Sequence, residues 1–304
     1  MLGRLGSGHL PLCFGIVGDE RRGVLAQHGA MGADAAGAAN IGRHYDERSP
    51  IGDEFRDGQL HMWYFYDRAD DAPLTEAVAR ITRKVTDTLG LRRDEHVLDA
   101  GCGPGTTALS MAERFGARVT GITVSQFEVD RAGERARAAG VGERVRFEYG
   151  DFMALDYQDG TFDAVLALES LQNAPDLEQV LRELYRVLRP GGRLSLSDFS
   201  LESMSHPDRI ARFMETLKLD RLPTLPEWLN LLRAAGFEVE EYTQCGPRVL
   251  GRKAKYIEAA LARREEIADK FGEAALTQFA DRHQGFFAPR KGQVGYVVIA
   301  ARKP

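Results

Sequence analysis

Cysteine is nearly absent from this sequence. Cys13, Cys102 and Cys245 are odd in number, scattered and never in Cys-x-x-Cys spacing. That excludes a disulfide framework and a zinc site of paired cysteines, so no metal is expected and a reducing, cytoplasmic setting fits best. Also missing is any apolar run near the roughly 18 residues of a membrane span. Basic excess is missing too: the formal net charge is -5, so there is no concentrated basic face of the kind nucleic acid requires. The basic run from Arg248 to Lys255 reads as a solvated helix start.

The N-terminus lacks a fold signal. Leu10 to Gly18 is apolar, but it carries a proline, a poorly basic flank and no clear small-residue cleavage signature, so it is not read as a signal peptide. The Gly/Ala-rich stretch from Gly29 to Asn40 has no amphipathic period. Residues 1–40 are therefore expected to be a flexible tail, with Met31 as an alternative start.

What is present begins with His96-Val-Leu-Asp-Ala-Gly-Cys-Gly-Pro-Gly105. It reads as a short buried strand, a Gly-x-Gly-x-Gly turn and a helix opening at Thr106. Glycines at 101, 103 and 105 permit positive φ and let a ligand lie on bare backbone, facing free N–H groups of the helix start. A dinucleotide fingerprint would want its third glycine at the sixth position, which is Thr106 here. Asp99, just before the turn, suits a ligand with a cationic amino group better than one with phosphates. S-adenosylmethionine is such a ligand: an adenosine, an amino-acid tail and a sulfonium, without phosphate. The plain alternative is a turn that only joins strand to helix.

Downstream, strands and helices alternate. Strands are expected at Val97–Asp99, Arg118–Thr123, Val145–Tyr149, Phe162–Leu168, Arg193–Asp198, Phe237–Tyr242 and Tyr296–Ala300, with helices at Thr107–Phe115, Gln126–Ala139 and Leu177–Leu188. This is a doubly wound, Rossmann-like α/β fold with a mostly parallel seven-stranded sheet. Such sheets bind ligands beyond the carboxyl ends of their strands, where Asp99, Thr123, Asp151 and Glu169 all fall. Residues 41–90, with Phe55, Trp63, Tyr64, Phe65, Tyr66 and a periodic helix from Leu74 to Leu89, read as a helical cap. Residues 91–304 form the main domain. Around residues 200–235 the rhythm stops, and the insertion reads as a lid. The charged helical stretch from Ala254 to Phe279 has no assignable partner surface.

These pieces resemble the class I S-adenosylmethionine-dependent methyltransferases. The resemblance rests on Val-Leu-Asp-Ala-Gly-Cys-Gly-Pro-Gly (97–105), Val-Thr-Gly-Ile-Thr-Val-Ser (119–125), Gly-Asp-Phe (150–152), Phe-Asp-Ala-Val-Leu-Ala-Leu-Glu-Ser (162–170) and Leu-Arg-Pro-Gly-Gly (188–192). His44-Tyr45-Asp46, the aromatic run to Tyr66 and the closing Gly-Tyr-Val-Val-Ile-Ala-Ala-Arg-Lys-Pro (295–304) narrow it. They resemble the branch of sterol C24-methyltransferases, tocopherol methyltransferases, cyclopropane synthases and bacterial natural-product tailoring enzymes.

The resemblance implies S-adenosylmethionine as cofactor. Its methionine part would lie on Gly101, Gly103 and Gly105, with Asp99 near the amino group. Thr123, Ser125 and Gln126 would serve the ribose, Gln126 standing in for a family glutamine whose place Glu128 takes here. Asp151 would bond the adenine amino group, with Phe152 against the ring and Leu168 at the end of the fourth strand beside them. Glu169 matches the glutamate of the cyclopropane and sterol enzymes. With Tyr45, Trp63, Tyr64 and Tyr66 it points to a carbocation and hence to C-methylation of an olefinic or prenyl-bearing specialised metabolite, with cyclisation as a variant. The acceptor is expected to be a small hydrophobic molecule, and the oligomeric state is left open. O- or N-methylation is the runner-up, with His61 and His206 as fallback bases because no histidine follows the fourth strand. A methyltransferase-like cyclase that transfers no methyl is the other alternative.

Overall fold

The structure is a computed structural model that describes the backbone of residues 30–304 and the side chains of residues 40–304. Cys13, the apolar run at Leu10 and most of the tail lie outside the described residues. The chain opens with helix α1 (Ala30–Arg56), an irregular segment and helix α2 (Leu74–Asp87). Then come β1 (His96–Ala100), α3 (Thr106–Phe115), β2 (Arg118–Thr123), α4 (Gln126–Ala139), β3 (Val145–Tyr149), β4 (Phe162–Leu168), α5 (Leu177–Val187) and β5 (Leu188–Leu201). The chain continues through α6 (Pro207–Leu217), α7 (Leu225–Ala234), β6 (Glu238–Gln244), a short α8 (Gly246–Val249), α9 (Lys253–Ala262), α10 (Arg264–Phe271) and α11 (Glu273–Phe286). It closes with β7 (Val294–Arg302).

The seven strands form one sheet in the order β3-β2-β1-β4-β5-β7-β6, parallel except for β7, which runs antiparallel to both neighbours. Side-chain alternation along the central strands feeds two cores. Val97 and Leu166 pack on the face that also receives Ile51, Phe55 and Trp63; Leu98 and Val165 pack on the other, under α5 and α7. Both faces are covered, which is why β4 is apolar almost throughout. Helix α5 buries Val180, Leu181, Leu184 and Val187, and the Asp176 carboxylate caps it by accepting the Gln179 N–H at 2.9 Å. Such a cap contributes about 1 kcal/mol. Strand order reverses between β1 and β4, and a crevice opens outside their carboxyl ends.

Two boundaries differ from expectation. Residues 30–40 are the first turns of α1 and not loop. Alanine has the highest helix propensity, and the start of a helix needs no apolar stripe when its later turns are anchored. Those anchors are Asp53, which meets Arg131 at 2.8 Å and Arg135 at 2.6 Å, and Asp46, which accepts the Ser125 hydroxyl at 2.6 Å.

The lid is the second. Helix α7 buries Trp228, Leu229, Leu231 and Leu232 against the sheet side of α5, as an ordinary crossover helix does. Only α6, through Thr216 and Leu217, reaches the crevice from the expected 200–235 segment. The rest of the roof comes from α1 and from the β6–β7 connection, where α9 contributes Tyr256 and α11 contributes Phe279, Arg282, His283 and Phe286. Three short helices broken at Arg263 and Gly272 hid that role, because no single one shows a sustained apolar face.

Candidate active site

The cavity at the strand ends has two sides, one built on the sheet and one hung from the helices above it. On the sheet side, β1 runs into the glycine turn, where Gly101 (φ +89°) and Gly103 (φ +51°) adopt left-handed backbone. A Cβ on Gly101 would collide with the Ser170 side chain, whereas one on Gly103 would meet no atom within 4 Å. Gly101 is thus fixed by packing, and Gly103 leaves bare backbone toward the cavity it lines. Gly105 is fixed by packing as well, but it does not serve the cavity. It lies outside the cavity lining, and a Cβ there would stand 2.7 Å from Ala132 Cβ, so its smallness seats α3 against α4.

Asp99 is 1 % exposed, lines the cavity, and its Oδ2 has no hydrogen-bond partner among the described residues. Burial raises its carboxyl to about 7. An orphaned buried carboxylate is costly unless something cationic meets it.

At the end of β2 the arrangement departs from expectation. Gln126 is exposed and donates to Asp130, and Ser125 caps α4 and ties it to Asp46, away from the cavity. Glu128 takes their place. As the third residue of α4 its side chain turns back toward the helix start, where Oε2 accepts the Thr123 hydroxyl at 2.7 Å and Oε1 accepts the Ser49 hydroxyl at 2.6 Å. Both Thr123 and Glu128 line the cavity, and burial raises the Glu128 carboxyl. After β3, Phe152 lines the cavity beside Gly150. Asp151 stands between them with its Oδ1 accepting the Met153 N–H at 2.8 Å, a turn-stabilising bond. Leu168 lines the cavity from the end of β4.

Glu169 comes next, with φ +53°. Left-handed backbone at a non-glycine residue costs on the order of 1 kcal/mol or more and concentrates at functional sites. Its N–H donates to the Ser197 carbonyl at 2.9 Å, and its Oε1 accepts from the Met62 N–H and the Tyr296 hydroxyl, each at 2.7 Å. Both bonds fall on Oε1, Oε2 has no hydrogen bond among the described residues, and Glu169 lines the cavity. Burial outweighs these two bonds and raises the carboxyl to about 7. Behind it, Tyr296 is fully buried in β7 and also meets Ser197 Oγ at 3.0 Å.

The helical side differs in chemistry. Tyr45 lines the cavity, but its hydroxyl donates to Asn173 Oδ1 at 2.8 Å, and Asn173 Nδ2 donates to the Leu217 carbonyl at 2.8 Å. This links α1, the turn after β4 and α6. Tyr64 and Tyr66 do not line the cavity: Tyr64 lies near Arg248, and Tyr66 is 55 % exposed under Arg80. In that irregular stretch Trp63 and Phe65 are the buried rings, which leaves the two tyrosines outside.

His61 lines the cavity with both nitrogens engaged. Nδ1 donates to the Met62 carbonyl at 2.9 Å, so Nε2 accepts from the Thr82 hydroxyl at 3.0 Å, and burial lowers the imidazole to about 4. It is a neutral structural histidine. His206 is exposed at the start of α6 and does not reach the cavity.

Sequence reading missed His283. Its Nδ1 donates to the Phe279 carbonyl, its Nε2 accepts the Tyr256 hydroxyl, each at 2.6 Å, and burial lowers it to about 4. It also missed Arg48, Arg56 and Arg282. The signal was there: lining residues 41, 45, 48, 49, 52 and 56 on α1, and 279, 282, 283 and 286 on α11, follow helical spacing.

A doubly wound sheet with a bare glycine turn and an orphaned carboxylate at its switch point defines a nucleoside-binding enzyme fold. Residues 97–192 match the family described as "Methyltransferase domain". The chain is 36% identical over 269 residues to 27-O-demethylrifamycin SV methyltransferase of Amycolatopsis mediterranei (strain S699), covering 87% of this chain and 97% of that one. It is 32% identical over 251 residues to O-methyltransferase resE of Aspergillus sclerotiorum, covering 82% and 95%. The crystal structure of the [4+2]-cyclase SpnF superposes with a TM-score of 0.75 at 31% identity, covering 88% of this chain and 96% of that one. The chain belongs to the class I S-adenosylmethionine-dependent methyltransferases.

The residues present fit that cofactor. Asp99 offers an orphaned carboxylate to an ammonium group, and Gly103 offers a floor that a side chain would fill. Glu128 has lone pairs left for hydroxyls, and Phe152 offers a ring face.

Proposed function

We propose that this enzyme methylates an oxygen atom of a bulky natural product, with Glu169 as the general base. The observation that carries the reading is Glu169, which lines the cavity with only Oε1 hydrogen-bonded among the described residues, on a carboxyl raised to about 7. A base poised near neutrality removes a hydroxyl proton most effectively. When bound, S-adenosylmethionine supplies an electrophilic methyl group on a sulfonium.

In this reading Asp99 holds the amino group of the methionine end, Gly101 and Gly103 carry its backbone, and Thr123 and Glu128 take the ribose hydroxyls. Asp151, Phe152 and Leu168 frame the adenine. Met62 N–H and Tyr296 fix one oxygen of Glu169, so the other points at the acceptor hydroxyl and accepts its proton as the oxygen attacks. The helices above exclude water and hold the acceptor in line, and positioning of this kind can contribute several kcal/mol. The two relatives above whose names specify O-methylation support the choice of oxygen.

Carbon methylation of an olefinic or prenyl group is the second reading. Aromatic faces from Tyr45, Trp63, Phe199, Tyr256 and Phe286 favour it. Arg56, whose charge acts on Glu169, weighs against it, because a carbocation beside a guanidinium is destabilised. The likeness to SpnF keeps a cyclase without methyl transfer as a third outcome.

One experiment separates the three. The enzyme is incubated with an extract of demethylated candidate acceptors and carbon-13 methyl-labelled cofactor, and products are read by NMR. A labelled methoxy carbon is expected; a labelled C-methyl group, or product without label, overturns the proposal.

A further inference from the structure

Arg48, Arg56 and Arg282 all line the cavity, and none forms an ion pair with a carboxylate among the described residues. Arg48 donates to His44 Nε2 and, at 3.5 Å, to the Thr216 carbonyl. Arg56 donates to the carbonyls of Leu60 and His61, and its Nε is buried without a partner. Glu47 is the acid whose charge acts on Arg282, from beyond ion-pair range. The three cations also repel one another: Arg56 and Arg282 both oppose the charge on Arg48. Glu169 is the acid coupled to Arg56, also from beyond ion-pair range, and it serves that one arginine alone. The neighbouring histidines carry no compensating charge. His44 is pushed to about 4 by burial and by Arg48, Lys218 and Arg282, and His283 is likewise lowered to about 4, so both are uncharged.

Half-buried guanidiniums that repel each other and have no carboxylate at ion-pair distance are costly in the free protein, and an anion relieves them. Arginine's planar fork matches a carboxylate or an ionised acidic phenol. All three sit on α1 and α11, elements other than the strand end and turn that carry Asp99 and the glycines. We infer that Arg48, Arg56 and Arg282 form an anion-binding subsite that recognises an acidic oxygen group on the acceptor, separate from the oxygen that is methylated. The inference rests on the methyltransferase reading and deepens it, since it assigns the acceptor a chemical class: an acidic, ring-bearing molecule.

The anionic group could instead be the carboxylate of the cofactor's amino-acid end, and the test has an arm for each. Calorimetry, with S-adenosylhomocysteine saturating, is used to titrate 3-hydroxy-2-naphthoate and, in parallel, its uncharged methyl ester. The wild-type protein is expected to bind the acid at least tenfold more tightly than the ester. Arg48→Gln and Arg282→Gln are expected to reduce that preference about tenfold and leave the Kd of S-adenosylhomocysteine within about twofold, read by calorimetry. Equal affinity for acid and ester in the wild-type protein overturns the inference, and needs no variant to fold. Loss of S-adenosylhomocysteine affinity in the variants, with the acid preference intact, also overturns it and reassigns the arginines to the cofactor. Failure of the wild-type protein to bind S-adenosylhomocysteine would instead defeat the methyltransferase reading itself.

Discussion

The two sides of the cavity solve the same problem with opposite charges. The sheet side gathers Asp99, Glu128 and Glu169 at strand ends or the first turn of α4, the first two buried and Glu169 half-buried, each raised in pKa by desolvation. The helical side gathers Arg48, Arg56 and Arg282 among aromatic rings. A sheet end is a rigid place to store an uncompensated carboxylate, because neighbouring strands hold the backbone in register. The roof, hung on α1, α6 and the three helices between β6 and β7, is where acceptor identity can change without disturbing the cofactor pocket. In the proposed reading the sheet side holds the cofactor and supplies the base Glu169, and the helices hold the rest of the acceptor.

Substitutions can break this division or sharpen it. Glu169→Gln should have the largest effect, a fall in kcat of about 10²–10⁴-fold with S-adenosylhomocysteine affinity nearly unchanged. The wild-type rate should rise as pH passes through about 7, because the carboxyl accepts a proton only when ionised, and the variant should lose that rise. A variant rate with the same pH profile would remove Glu169 from the chemistry.

Asp99→Asn should weaken cofactor binding about 10–100-fold by calorimetry, the worth of a charge-assisted hydrogen bond. Its effect on the ligand-free protein should have the opposite sign. The folded pKa of Asp99 is raised from 3.8 to about 7, so the folded state binds the proton more tightly than the unfolded one. Stability from this group is therefore highest below the unfolded value, falls between about pH 4 and 7, and stays low above. The asparagine variant should melt higher than wild type at pH 8 and at the same temperature near pH 3.

Tyr296→Phe should lower kcat about tenfold and move the pH midpoint upward, because the hydroxyl bond that it removes holds the Glu169 carboxyl down. Tyr45→Phe cuts the link to Asn173 and should reduce stability by about 1 kcal/mol, read by denaturant titration. His206→Ala should leave kcat within about twofold, since that ring is exposed and outside the cavity.

How much of this was legible beforehand depends on how local the signal is. The strand at Phe162 and the helix at Leu177 were readable from a few consecutive side chains, as were Asp99, Gly103 and Glu169, because the residues that make a strand end also place the group that follows it. Gln126 and Glu128 were not, since the choice between them depends on which face of α4 meets Thr123 and Ser49. Tyr64 failed for the same reason: an aromatic run announces burial but not the side to which each ring turns. The arginines carried a periodic signal on α1 and α11 that had no meaning until the two helices met across the crevice.

By itself the sequence determined the order of strands and helices, the glycine turn and the carboxylates at the strand ends, because each is set by backbone preferences acting over a few residues. Tertiary structure alone decided which segments roof the site, which histidines are locked neutral and that three cations line the cavity. Those outcomes depend on burial and long-range packing, and the energies of charges in a cavity are fixed by neighbours hundreds of residues apart.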